Sequence, residues 1–462
     1  MANSIMRVGV SGLQAAQAAL LTTSHNISNA TTPSYNRQQA IQITNTPLPH
    51  SDGFIGRGVQ ISTVQRVYNQ YLVNQSLQAQ TQSSQLNSQY NEIKQIDNLL
   101  ADTTSGLTPA LHNFFNAVQD VASNPASIPS RQAMLSNAEA LTARFQQMDQ
   151  RLSEMREGVN SQITSSVAEI NSLAQQIAKL NTNIQAVEAS ANGQPANDLL
   201  DQRDALIRDL SQLTNVDVVR QNNGHYNVFI GNGQSLVVGS SAMSLKAVAS
   251  PSDPQRLTVA MELNSGEVLL PEHQLQGGSL GGLLAFRSET LDSVQGSFNE
   301  LALGIATTFN TQHQAGFDLQ GAQGEDFFVV ADPSHAAGSI RVAISDPAEI
   351  AAADAAGGVS NNRNALQLAE LQTKNTLQGG TASYQSVYAR LVSEVGNKTR
   401  ELEVTGKAQE SMLNQTDQAL QSLSGVNLEE EAANLLRYQQ MFQASSKVIQ
   451  ISNSLFDSIL AI

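Results

Sequence analysis

Five residues, Gly277-Gly278-Ser279-Leu280-Gly281, match the G-x-S-x-G pattern in which a serine on a tight strand-to-helix turn becomes a nucleophile. That turn needs a strand before it and a helix after it. A helix is readable from Leu283 onward, but PEHQLQG is a poor core strand, and glycines at a boundary between two regions explain the run without chemistry. The histidines are His25, His50, His112, His225, His273, His313 and His335, and no two are spaced to share a metal on one helix. With no cysteine, a zinc site would need ligands gathered from scattered positions. The acidic triplet Glu429-Glu430-Glu431 reads as a helix start, where carboxylates meet the positive end of the helix dipole. Neither a phosphate-cradling glycine loop nor a calcium loop with its acidic spacing occurs. The sequence therefore assigns no catalytic residue, no cofactor and no metal.

What remains is a chain built for shape. Its 462 residues allow two to four domains with a substantial core. Lys and Arg number 25 against 40 Asp and Glu, so the formal charge is 25 − 40 = −15. A nucleic-acid binder needs the opposite sign, and an anionic membrane surface would repel this one. No run of about 18 apolar residues occurs to span a bilayer. The opening MANSIMRVGVSGLQAAQAALL is not a secretory signal, because Gln14 and Gln17 interrupt its apolar part. Export, if it happens, is expected by a route without a cleaved signal. Only 14% of residues are charged and 5% aromatic, a mixture that favours long polar-faced helices over compact catalytic pockets.

The periodicities lay out the elements. Met6, Leu13, Leu20 and Ile27 repeat at seven on a helix from about Ser4 to Ser28, with Gly9 and Ala16 between them. A second strip, Gly12, Ala15 and Ala19, is smooth enough for another backbone to approach. HNISNATTPSYNRQ then turns the chain extended through residues 36–65. Helices are expected over 67–100 and 108–122, and over a rod from Ile128 to about Ala189, where Met134, Leu141 and Met148 and later Ile163, Ile170, Ile177 and Ile184 repeat at seven. VDVVRQNNGHYNVFI and the strands after it read as a β-meander over 215–270. Helices return at 283–312, 364–377 and 384–423, with short strands DFFVVADP and SIRVAI between the first two. The last helix begins at Asn427, whose side chain can cap it, with Glu430 completing a capping-box pattern. Along it Leu428, Leu435, Phe442, Ile449 and Phe456 form an apolar ladder.

The expected fold is mainly α with a β-rich insertion, in nested discontinuous domains. Residues 1–65 with 425–462 form a terminal coiled coil, and 66–213 with 279–320 and 360–424 a long-helix bundle. Residues 214–278 make a small β domain at the tip, and 321–359 a small irregular segment. Pairing the two terminal helices covers one face of each. The smooth Gly/Ala strip, with Met441, Val448 and Leu455, is expected to stay partly uncovered and so to bind other copies or related subunits.

At these residues the sequence resembles the flagellar axial proteins. SGLQAAQAALLTTSHNISNATTPSYNRQ resembles the segment shared by rod, hook and hook-associated subunits, with Asn26, Asn29, Pro33 and Tyr35 at the pattern's fixed points. SGVNLEEEAANLLRYQQMFQASSKVIQ is similar to the closing helix of the same family. Its SGVNLEEEAANL opening, like NVFIGNGQSLVVG and FNTQHQAGFDLQG, is similar to the hook-associated members. The middle of the chain is short for the family.

The resemblance implies an extracellular structural subunit joining hook to filament, exported through the flagellar type III apparatus. It also implies self-association in a ring or helical array, contact with the hook protein, a second junction protein and the filament, and an export chaperone that shields Leu428 to Phe456 before assembly. The terminal helices would then be disordered in the isolated monomer. Three alternatives stay open: another axial subunit such as a hook or rod protein, a hydrolase using Ser279, and a helical adhesin with a binding β tip.

Overall fold

The computed structural model describes residues 2–50, 53–102, 106–221, 223–263 and 266–460. Parts of the expected β-meander lie outside them, at Asn222 and at Asn264 and Ser265, as does the side chain of His50. In chain order come α1 (Ala2–Ser28), β1 (Gln38–Thr44), β2 (Leu48–His50), β3 (Gly53–Ile55), β4 (Val59–Arg66), α2 (Gln70–Leu100), α3 (Leu107–Ser123), α4 (Ile128–Ser190) and α5 (Asn197–Leu213). A β region follows: β5 (Val216–Arg220), β6 (Tyr226–Ile230), β7 (Gln234–Val238), β8 (Ser241–Ala242), β9 (Ser244–Ser250), β10 (Asp253–Leu263) and β11 (Gly266–Leu269). Then come α6 (Gly278–Ala285), α7 (Asp292–Gln314), β12 (Phe328–Val330), α8 (Ala336–Ser339), β13 (Ile340–Val342), α9 (Arg363–Glu370), α10 (Tyr384–Ser424) and α11 (Leu428–Leu460).

The rod exists because nothing interrupts it. Ser127 caps α4 by accepting from the Ser130 N–H at 3.3 Å, and Pro129 sits in the first turn, where its missing N–H costs nothing. Its 63 residues make a helix roughly 95 Å long at 1.5 Å per residue. Met134, Leu141, Met148, Ala138, Phe145, Leu152, Val159, Ile163, Ile170, Ile177 and Ile184 are all buried, so the seven-residue count is its core-facing stripe. Around it α2 packs on α10 and α6, α3 on α4 and α9, and α7 on α10. At one end Phe114, Phe309, Phe327 and Phe328 pack with ring centroids 4.8–6.2 Å apart.

Two expected helices differ in extent. The 364–377 segment is helical only to Glu370. The 283–312 segment starts earlier, at Gly278, and passes through a π-helical stretch, Phe286–Leu291, before α7. β5 to β8 form one antiparallel sheet in sequence order, and β9 to β11 a second. This region lies along α4. Asn160 Nδ2 donates to the Gln255 carbonyl at 2.8 Å, Asn171 brackets Leu245 through its N–H and carbonyl at 2.8 Å each, and Asn181 Nδ2 donates to the Tyr226 carbonyl at 2.9 Å. Polar side chains on an otherwise apolar helix stripe thus fix the strands' register against it. Sequence periodicity, which reads apolar spacing, gave no sign of these three anchors.

Candidate assembly interface

The chain's two ends meet. α1 packs against α11 in antiparallel sense, so that Gly9 faces Val448 and Ile449 while Gly12 faces Ser445. A Cβ on Gly9 would lie 2.9 Å from Ile449 Cγ1, and one on Gly12 would lie 2.7 Å from Ser445 Oγ. At Gly9 a side chain would have to displace the branched Ile449 and Val448, whereas at Gly12 only the Ser445 side chain must give way, and the two glycines select which face of α1 is covered. That corrects one expectation: Gly9, Gly12, Ala15, Ala16 and Ala19 line the covered side, and Val448 is part of it, so the smooth strip is not left over.

The large residues are placed differently. On α1, Leu13, Leu20 and Ile27 are half-buried and Met6 is 39% exposed. On α11, Leu435, Phe442 and Ile449 are half-buried, whereas Leu428 and Phe456 at the ladder's ends are exposed. Leu21, Leu436, Ile451 and Leu455 also face outward, so the pair carries an apolar outer surface.

The inner end of the pair is polar and tightly wired. Asn26, 1% exposed, brackets the backbone of Gln38: its Oδ1 accepts the Gln38 N–H and its Nδ2 donates to the Gln38 carbonyl, both at 2.9 Å. Tyr35 Oη donates to the same Asn26 Oδ1 at 2.8 Å. Burial, together with Asp198, Asp201 and Glu431 nearby, pushes the Tyr35 phenol well above its usual range, so it stays a donor. Asn29 Nδ2 donates back to the His25 carbonyl at 3.0 Å and helps finish α1, while Pro33 is exposed on the loop beyond.

β1 and β4 pair antiparallel and lean on α1, where Ser11 Oγ accepts the Val59 N–H at 3.2 Å. α5 then presents Asp198, Asp201 and Asp204 on one face, three residues apart. Asp201 accepts the Asn36 N–H and side-chain amide, and Arg66 Nη1 reaches Asp201 and Asp204 at 2.7 Å each. Burial works against the Arg66 charge, but the Asp204 and Asp201 carboxylates outweigh it and push its pKa up. Asp198 accepts from Gln38 Nε2 at 2.7 Å and lies 3.1 Å from His25 Nε2.

The acidic triplet does more than start a helix. Asn427 Oδ1 accepts the Glu429 N–H at 3.0 Å as expected of a cap, yet Glu430 and Glu431 each take a hydrogen of Arg37, at 2.7 Å. Glu431 is 2% exposed and the Arg37 side chain 26%, so one arm of this bridge between the two ends of the chain is shielded, while the arm to Glu430 is open to water. Arg37, Arg66, Gln38 and the α5 aspartates were not singled out in the sequence. The available signal was the i, i+3, i+6 spacing of acids in NDLLDQRDALIRDL opposite a basic loop.

Elsewhere the chemistry-like motif resolves into packing. A single 3₁₀ turn, Glu272–Gln274, precedes the G-x-S-x-G run where a strand would be required. Gly277 and Gly278 have φ of 87° and 65°, and a Cβ on Gly278 would meet the Leu213–Thr214 backbone at 2.2 Å. Among the described residues no three His, Asp or Glu side chains converge as a metal set.

Both ends of the chain match models of flagellar rod proteins: residues 6–35 the flagella basal body rod protein, and 409–462 the flagellar basal body rod FlgEFG protein C-terminal region. The class is that of flagellar axial subunits. Residues 93–328 match the flagellar hook-associated protein FlgK helical domain. The chain is 36% identical to flagellar hook-associated protein 1 of Escherichia coli (strain K12) and 37% to that of Salmonella typhimurium, with both chains covered in full each time. To the Bacillus subtilis protein of the same name it is 27% identical over 97% of this chain and 96% of the relative. Among solved structures, the flagellar hook junction protein FlgK from Burkholderia pseudomallei superposes with a TM-score of 0.71 at 26% identity, covering 76% of this chain and all of that one.

The chain belongs to the flagellar hook-associated protein 1 family, and it is a structural subunit of the bacterial flagellum at the hook–filament junction. Full-length relatives of that one kind set aside a hook or rod protein. The E. coli alignment runs over 545 positions against 462 residues here, so at least 545 − 462 = 83 positions have no counterpart in this chain.

Proposed function

We propose that this chain is a non-enzymatic adaptor that works by interlocking its terminal helix pair with those of neighbouring subunits in a ring or helical array. The observation that carries the reading is the apolar outer surface of the pair, with Leu21, Leu436, Ile451, Leu455 and Phe456 exposed on two helices that already cover each other's inner faces. Exposed apolar side chains in such a row cost free energy in water and gain it against a neighbour, at about 25 cal/mol per Å² removed. The partners in this reading are further copies, the hook protein on one side, and the second junction protein and filament on the other.

The same surface needs cover before assembly, which supports a dedicated export chaperone on α11 and passage through the flagellar type III apparatus to the cell exterior without a cleaved signal. Met6, Leu13, Leu20 and Ile27 with Leu428, Leu435, Phe442, Ile449 and Phe456 are the interaction residues of this reading. Asn26, Asn29, Pro33 and Tyr35 hold the turn that brings them together. Domain limits follow the nested layout, with 1–65 and 425–462 as the assembling layer.

Leu435→Asp with Ile449→Asp tests it. Hooks should form while filaments do not, and the variant's central bundle should melt as in the wild type. Normal filament growth with that variant would reject the role of the pair. Ser279 performs no chemistry in this reading, so a serine-reactive probe should leave the chain unlabelled.

A further inference from the structure

Three consecutive residues hold different elements, and Gln38 Nε2 adds a second tie to α5 through Asp198 at 2.7 Å. Asn36 is fastened to α5, its N–H and side-chain amide both donating to Asp201, at 3.0 and 2.6 Å. Arg37 is fastened to α11 through Glu430 and Glu431, and its N–H donates to the Ser424 carbonyl at the end of α10, at 2.8 Å. Gln38 is fastened to α1 by both hydrogen bonds of Asn26. Adjacent residues sit 3.8 Å apart along a rigid peptide unit, so none of the three moves far without the others. α5 itself is built into the bundle, packed against α2, α4 and α6.

We propose that Asn36-Arg37-Gln38 is an ordering node, seated on α5 in the isolated subunit, which fixes the inner ends of both terminal helices while their outer ends wait for neighbours. This rests on the reading that the pair is fully ordered only in company. Burial follows the same gradient. Asn26, Gln38, Asp201 and Glu431 at the node are 1–8% exposed, whereas Met6, Leu455 and Phe456 at the outer end are 39–46% exposed. Polar groups this buried open only when water replaces every bond at once, and local opening sets amide exchange. The node therefore divides the terminal pair into a preformed root and a conditional outer part. A neighbouring subunit meets a template already set at the correct angle.

Amide hydrogen exchange on the full-length monomer tests this. Peptides over residues 25–40 and 425–435 should exchange at least about 10-fold more slowly than those over 4–15 and 448–458. Asp198→Ala with Asp201→Ala, which removes both ties to α5, should raise exchange at the inner ends to that of the outer ends, with α4 peptides over 134–152 unchanged. Arg37→Gln should release residues 428–437 alone, because Asn36 and Gln38 keep their partners. A gradient that survives the double variant overturns the node, and so does fast exchange over 25–40 in the wild type. If the double variant also loosens α5, unchanged exchange over 428–437 in Arg37→Gln overturns it instead. Slow exchange out to both extremities of the monomer would contradict the reading of the pair as ordering in company, a different failure.

Discussion

Asn26 and Gln38 form a two-bond ring, side-chain amide to backbone, at 2.9 Å in both directions. Asn26 is the last buried residue of α1, and Gln38 is the first of β1, so the ring sets the angle at which the helix hands over to the hairpin. An amide is the one neutral side chain that offers a donor and an acceptor in this geometry. Asn26→Ala would strand the Gln38 N–H, the Gln38 carbonyl and the Tyr35 hydroxyl, each at about 1–3 kcal/mol if buried without water. We expect that variant to fail in filament assembly while circular dichroism of the bundle is unchanged. Asn26→Asp, which keeps the acceptor and loses the donor, should fail as well. Wild-type swarming by either variant would show that the handover angle is not needed.

Gly9 and Gly12 set the spacing of the terminal pair. Gly9→Val puts branched carbon where Ile449 already lies, so the helices must part, and we expect loss of filaments in a motility assay. Gly12→Ala meets only the Ser445 hydroxyl, at 2.7 Å from the added carbon, and should be milder. Combining Gly12→Ala with Ser445→Gly should restore motility to at least that of Ser445→Gly alone. Absence of that rescue would mean the two positions are not in contact in the assembled state.

The β region is predicted to come loose when Asn181 is changed. Its Nδ2 donates to the Tyr226 and Gly239 carbonyls at 2.9 and 2.7 Å, and its Oδ1 accepts from Arg203 Nη1 at 2.9 Å. The Arg203 guanidinium lies 3.5 Å above the Tyr226 ring. Asn181→Leu leaves buried acceptors and a buried cation without their partner, so urea unfolding should show a loss of about 3–5 kcal/mol. Gln175→Ala, on the exposed side of the same helix, should stay within about 0.5 kcal/mol.

His313 ties stability to pH at the aromatic end of the bundle. It is fully buried, its Nδ1 donating to the Glu325 carbonyl at 2.6 Å and its Nε2 accepting the Ala351 N–H at 2.9 Å, and that second bond needs a lone pair on Nε2, which only the neutral ring has. Burial pushes its pKa below the ordinary 6.5. In the unfolded chain the group binds a proton as pH falls past that value, while in the folded chain it does not. Its contribution is therefore full above pH 6.5 and is lost as pH falls below it. The pH slope of unfolding free energy on the acid side of that value should shrink by up to about one proton in His313→Gln. An unchanged slope would show that the ring is already charged in the fold.

Much of this architecture was legible in the sequence because long helices announce themselves. The seven-residue spacing through Met134, Leu141 and Met148 named the buried stripe of α4, and the alternation in HYNVFI named β6. The interface was legible only as material. Heptads give a face but not what lies on it: Gly9 and Gly12 were readable as places of close approach, but not that Ile449 and Ser445 are what approaches them. Glu430 and Glu431 were read as the start of a helix, which they are, but their pairing with Arg37 spans more than 390 residues and leaves no local trace. The same holds for Asp201 and Asn36, which only the folded bundle brings together.

The antiparallel pairing of α1 with α11 also dictates a sequence of events. Closing a loop of some four hundred residues is entropically slow, and the penalty grows with the logarithm of length. Once α2 to α10 have condensed, that span is already collapsed, and the remaining search covers only the short segments at Gly425–Asn427 and Ala30–Arg37. The embrace of head and tail is thus the final act of maturation. A copy broken short of α11 leaves the Gly9 and Gly12 face of α1 bare.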